Sequence, residues 1–128
     1  MLITANLKAT KAGIRCDRAT YRGNPFEMKN ESDRGKNCDG FKKYLWAIVG
    51  HGHSPIDAAN AVAASMGLDI SAKWRSPTTS QFLAALKQIE EAPDGTQLLC
   101  WCHPLRCHCD EYVSYLEWAR ATMELEGL

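Results

Sequence analysis

Apolar and polar positions alternate in a way that divides the chain into two short extended segments, a polar stretch, three helical stretches, a further strand and a last helix. Leu2 to Ala9 and Gly13 to Tyr21 are short and carry no helical period, which predicts two strands. Arg22-Gly23-Asn24-Pro25-Phe26 reads as a turn, because glycine and asparagine tolerate positive φ and the proline biases Asn24 towards an extended conformation. Glu27 to Asn37 is polar, charge-rich and glycine-containing, and is expected to be a loop. A helix is expected from an Asp39 cap through Val49, with Phe41, Leu45 and Ile48 on one face and Gly50 as its stop. His51-Gly52-His53 is a connector.

Ser54-Pro55-Ile56-Asp57 is a strong helix start: a capping serine, a proline at the first helical position and an acid in the first turn. Ile56, Ala59, Val62, Ala63 and Met66 form the stripe of that helix, and Gly67 ends it. Ser76-Pro77-Thr78-Thr79 is a second such start, opening a helix to Glu91 with Phe82, Leu83, Leu86 and Ile89 on one face. Leu68 to Trp74, between them, fits neither pattern. After a Pro93-Asp94-Gly95 turn, Gln97 to Cys102 suits a buried strand that Pro104 breaks. Asp110 and Glu111 open the last helix, with Tyr112, Leu116, Ala119 and Met123 at helical spacing. The order β, β, α, α, α, β, α predicts an α/β fold, a small sheet with helices packed around it in a single compact domain.

Composition adds limits rather than direction. With 128 residues, 45% of them hydrophobic and 23% charged, the chain is long enough to bury a core without a covalent staple. Fifteen basic residues balance fifteen acidic ones, which argues against a dedicated DNA-coating protein. Lys8, Lys11, Arg15, Arg18 and Arg22 fall early and read first as a solvated surface. Nothing approaches the ~20 apolar residues of a membrane span, and the first residues lack a secretory pattern. Four of the six cysteines lie between Cys100 and Cys109. Such close neighbours suit one metal or one active site better than disulfides across a fold, so a reducing cytoplasm is expected.

The densest chemistry is Cys100-Trp101-Cys102-His103-Pro104-Leu105-Arg106-Cys107-His108-Cys109-Asp110. Strand residues two apart face one side, so Cys100 and Cys102 are expected together, with Trp101 turned into the core. Cys107 or His108 would sit at the start of the last helix, where free backbone N–H groups favour a thiolate. Three readings compete. Cys100, Cys102, Cys107 and His108 would bind zinc in a tetrahedron; or Cys107 or Cys102 would act as a thiolate beside His108 and Asp110; or the cysteines are small core residues and the histidines and Asp110 are caps. Cys16 and Cys38 read as ordinary residues, and His51 and His53 as exposed loop histidines.

At the other end, Arg18 offers a fork for phosphate or carboxylate, and Asn24 a donor and an acceptor beside a glycine that admits a ligand. Together, Asp17-Arg18-x-Thr20-x-x-Gly23-Asn24-Pro25-Phe26 and Cys100-x-Cys102-x-Pro104-x-x-Cys107-His108-x-Asp110 resemble an uncharacterised family of small bacterial and phage proteins. In that family a small residue usually stands where Cys109 stands here. The resemblance lies at the two ends, and roughly Gly50 to Arg75 reads as added length. It implies a shared site and carries no reaction.

Two motifs so far apart in sequence are expected to line one pocket. The leading expectation is an enzyme, a hydrolase or transferase, acting on a nucleotide, nucleobase or related phosphorylated small molecule. Arg18 and Asn24 would bind the ligand, and Cys102, Cys107, His108 and Asp110 would act directly or through zinc. The alternative is a non-catalytic, zinc-stabilised binding module or a phage accessory interaction protein. A small-molecule partner is expected, and no membrane.

Overall fold

In the computed structural model, which describes residues 2–103 and 105–125, the three strands run parallel and the last in sequence lies in the middle. β1 (Ile3–Asn6) and β2 (Ile14–Arg15) flank β3 (Gln97–Cys100), with Ile3 opposite Gln97, Asn6 opposite Cys100 and Arg15 opposite Leu99. Four helices surround this sheet: α1 (Arg34–His51), α2 (Pro55–Met66), α3 (Thr79–Glu90) and α4 (His108–Leu125). This is the α/β class, in one compact domain, that the pattern predicts. Among the described residues, no helix is long and apolar enough to cross a membrane.

A parallel sheet covered by helices carries apolar residues on both faces, and β3 obeys: Leu98, Leu99 and Cys100 are all buried. Around it pack Phe41, Tyr44, Leu45 and Ile48 of α1, Ala58, Ala59 and Val62 of α2, Phe82, Leu86 and Ile89 of α3, and Tyr112 and Leu116 of α4. Tyr44 sits at the centre of an aromatic group, edge to face with Phe26, Trp74 and Phe82. Only a bare backbone fits where the β1–β2 connection crosses β3. A Cβ on Gly13, at φ 153°, would stand 2.3 Å from the Gln97 carbonyl oxygen.

Several boundaries differ from expectation, each for a local reason. The strands are shorter than their patterns, and residues 17–23 turn back on themselves through Thr20 N–H to the Asp17 carbonyl and Gly23 N–H to the Thr20 carbonyl. The expected loop at 27–37 is partly helical: a 3₁₀ turn at Glu31–Asp33 runs into α1, which therefore starts five residues before Asp39. α1 also continues past Gly50 to end at Gly52, whose left-handed φ of 72° makes the stop. Ser54 caps α2 as expected, accepting the Asp57 N–H at 3.3 Å. For α3 the cap is Thr78 rather than Ser76, because Gln81 reciprocates with its side chain in a capping box.

β3 stops at Cys100, two residues early, because Asn6 Nδ2 donates to the carbonyls of Trp101 (3.2 Å) and His103 (2.8 Å) and bends the chain away. Trp101 is consequently 53% exposed and not in the core. Pro104, expected to break the strand, lies outside the described residues, as does the side chain of Met123. The unassigned 68–74 segment lies against the early turn, through an antiparallel bridge between Phe26 and Ile70 and the Ser71 N–H to the Pro25 carbonyl at 2.8 Å.

Candidate functional site

The carboxyl ends of β2 and β3, the early turn and the 71–73 segment enclose a cleft of ≈ 410 Å³, within the range of small-molecule pockets. Arg18 and Asn24 line it together with Cys100, Cys102, Cys107 and His108, so the two distant motifs meet in one cleft. Asp110 does not line it. Its Oδ1 accepts the Thr4 hydroxyl at 2.9 Å and its Oδ2 the Cys107 N–H at 3.2 Å, which ties the start of α4 to β1.

The early turn is built around its own polar groups. Asn24 Oδ1 accepts the Phe26 N–H at 3.0 Å, and Asn24 Nδ2 donates to Asn37 Oδ1 on α1. An amide occupied on both sides shapes the turn rather than greeting a ligand. Arg18 donates from Nε to the Asn24 carbonyl at 2.9 Å and from Nη2 to the Phe26 carbonyl. Gly23 packs so tightly under this arginine that a Cβ would lie 2.6 Å from the Arg18 Cα. Burial lowers the Arg18 pKa, and no carboxylate forms an ion pair with it among the described residues. A guanidinium has five N–H donors, so most of the fork is left for the cleft.

A second arginine joins it from the stretch expected to be a loop. Arg34, in the first turn of α1, pairs with Glu31 at 2.7 Å and donates to the Arg106 carbonyl at 2.9 Å. Its pKa is raised first by Glu31 and next by the Cys102 sulfur beside it. Cys102 is half-buried on the cleft wall beside this arginine. Trp101 lies at the cleft edge, with Nε1 donating to Asp17 Oδ2 at 3.3 Å. Burial alone would raise the Asp17 pKa, but the Arg15 pair at 2.6 Å and the indole N–H outweigh it and the net shift is downward. Lys73 completes the cationic lining.

At the floor of the cleft the cysteines part company. The sulfur atoms of Cys100, Cys107 and Cys109 all lie within 4.8 Å of one another, and all three side chains are buried. Cys100 and Cys107 are 3.0 Å apart, and no disulfide joins any of the six cysteines. S–H groups of Cys107 and Cys109 lower the Cys100 pKa, while that same contact raises the pKa of Cys107 and, with burial, of Cys109. Three thiols that bias one another's ionisation at this spacing are a chemically suitable ligand set for a soft metal ion. The trio can hold a metal ion.

It differs from the expected donor set in two places. Cys109 enters, and Cys102 stands apart beside Arg34. His108 is also outside: its Nε2 meets the Cys16 carbonyl, and burial lowers its pKa. Cys38 lines the cleft from α1, its thiol pushed up to about 11 by burial. His51 and His53 are exposed, away from the cleft.

Comparison with known families gives one match, to a model described as a domain of unknown function, DUF4326, over residues 3–118. The chain belongs to the DUF4326 family. No curated protein and no solved structure matches it. The DUF4326 match runs through residues 50–75, which the sequence suggested were added length, and that stretch delivers Ser71, Ala72 and Lys73 to the cleft. Arg34, Lys73 and Cys109 are the site residues that sequence reasoning missed. Only the density of cysteines pointed to Cys109, and nothing local marked the two cations.

Proposed function

We propose that this DUF4326 protein is an enzyme acting on a nucleotide, nucleobase or related phosphorylated small molecule held in the cleft. One observation carries the reading: a cleft of ligand size lined by two guanidinium groups, Arg18 and Arg34, and by the partly buried thiol of Cys102. The Arg18 fork suits phosphate and carboxylate oxygens, Arg34 adds positive charge to the same lining, and the exposed Trp101 indole offers a face on which a base stacks. Cys102 is the candidate nucleophile. Cys107 is buried in the thiol trio, and Asp110 and Asn24 serve the fold instead of the ligand.

Zinc is the metal of this reading, because thiolates in a buried cluster suit it and it brings no redox chemistry. Free thiols in this density fit a reducing cytoplasm. The paired end motifs support the bacterial and phage setting of the family resemblance.

A non-catalytic binding module is the second reading, favoured by one feature. His108 Nε2 is engaged by the Cys16 carbonyl, so that nitrogen is not available to Cys102 as a general base. A thermal-shift screen of nucleotides, nucleobases and inorganic phosphate tests the proposal. A ligand at 100 times its Kd stabilises by about 2.7 kcal/mol, enough to raise the midpoint by several degrees. Arg18→Met and Arg34→Met abolish that rise. Consumption of the bound compound by wild type but not by Cys102→Ser makes the protein an enzyme; binding without consumption makes it a module. No stabilisation by any compound refutes both.

A further inference from the structure

We propose that Cys16 completes a four-thiolate zinc site with Cys100, Cys107 and Cys109, a closed structural centre at the floor of the cleft. The inference rests on the metal part of the proposed function and is independent of the nucleotide part. Cys16, Cys100, Cys107 and Cys109 are 0%, 1%, 2% and 0% exposed, and they come from three separate places: the residue after β2, the last residue of β3 and the start of α4. Tetrahedral zinc with Zn–S bonds of about 2.3 Å holds its sulfurs about 3.8 Å apart. The three clustered sulfurs, within 4.8 Å of one another, already approach that spacing.

The fourth position is decided by elimination and by local geometry. The ligand atoms of Cys102, His108 and Asp110 do not converge with the three sulfurs: His108 Nε2 meets the Cys16 carbonyl, and the Asp110 carboxylate is taken by Thr4 and the Cys107 N–H. Cys16 is held in position from both sides. Its N–H bonds the Leu99 carbonyl at 2.9 Å, extending the β2–β3 pairing by one residue, and its own carbonyl receives His108 Nε2. Continuing that register sets Cys16 beside Cys100 on the same face of the sheet; its sulfur lies outside the 4.8 Å grouping of the other three and would swing toward them on ligation. The Cys16 S–H rests 3.7 Å from the Ile14 carbonyl, a weak contact that ligation to a metal would replace. With four protein ligands no coordination position is left for water, so the ion ties β2, β3 and α4 together and takes no part in chemistry.

Elemental analysis and zinc-edge X-ray absorption on the purified full chain test this directly. The expected result is about one zinc per chain with four sulfur neighbours at about 2.3 Å. Three sulfurs and one nitrogen or oxygen would remove Cys16 from the set and leave the trio standing. Absence of stoichiometric zinc, or iron with sulfide in its place, would overturn the metal reading as a whole. With cobalt substituted for zinc, the sulfur-to-metal absorption falls by about a quarter in Cys16→Ser and is unchanged in Cys102→Ser, as four and three thiolates require. An unchanged spectrum in the first variant, or a reduced one in the second, overturns the inference. If Cys16→Ser does not fold, the wild-type absorption edge still decides it.

Discussion

Cys100 and Cys102 are two residues apart, and the fold gives them opposite surroundings. Cys100 ends β3 buried at the floor of the cleft in a cluster with Cys107 and Cys109, where its neighbours are other thiols. Cys102 lies past the bend at Trp101, half-buried on the cleft wall beside Arg34. A continued strand would have put both on one face; the Asn6 hydrogen bonds to the Trp101 and His103 carbonyls prevent that. The lesson is that a short cysteine-rich motif need not be one site. Here a bend of two residues separates a candidate structural centre from a candidate reactive thiol.

The largest effect that would break this comparison is on stability. Cys100→Ala and Cys109→Ala each remove a buried member of the thiol cluster and are expected to cost about 2–4 kcal/mol, more if metal is lost, by chemical denaturation. If Cys102→Ala costs as much, the two regions are not distinct. Next, Arg34→Met is expected to weaken ligand binding at least tenfold, about 1.4 kcal/mol, by calorimetry, and stability less than that. An unchanged affinity would take Arg34 out of the site. Asp110→Ala sharpens the contrast, since this carboxylate holds α4 to β1 and lies off the cleft. It should lower stability by about 1 kcal/mol and leave affinity unaltered. Smallest of all, Trp101→Ala should shift stability by no more than about 0.5 kcal/mol, as an exposed residue, while reducing affinity for any ligand that stacks.

Much of this organisation was legible in the residues. Capping chemistry at Ser54-Pro55 located α2, the apolar run from Gln97 located β3, and the paired motifs put Arg18, Asn24, Cys102 and Cys107 around one cleft. What escaped depends on contacts between distant segments. The first turns of α1 have no apolar stripe to announce them, so Arg34 looked like part of a loop. Asp110 and Asn24 look like ligand-binding groups in isolation, and only their partners Thr4 and Asn37 show that the fold employs them. Trp101 follows strand alternation in the sequence, but its strand ends one residue earlier. Side-chain type identified the candidate chemistry; backbone pairing decided where each group faces.

The division of the cysteines can be measured in one experiment, brief alkylation of the native protein followed by peptide mass spectrometry. Cys102 should be labelled at least about tenfold faster than Cys16, Cys100, Cys107 and Cys109, with Cys38 lagging behind it because burial raises its pKa. Labelling of Cys100 or Cys107 at the rate of Cys102 would mean that the thiols share one open site, and would contradict the separation of a buried thiol cluster from a reactive thiol on the cleft wall.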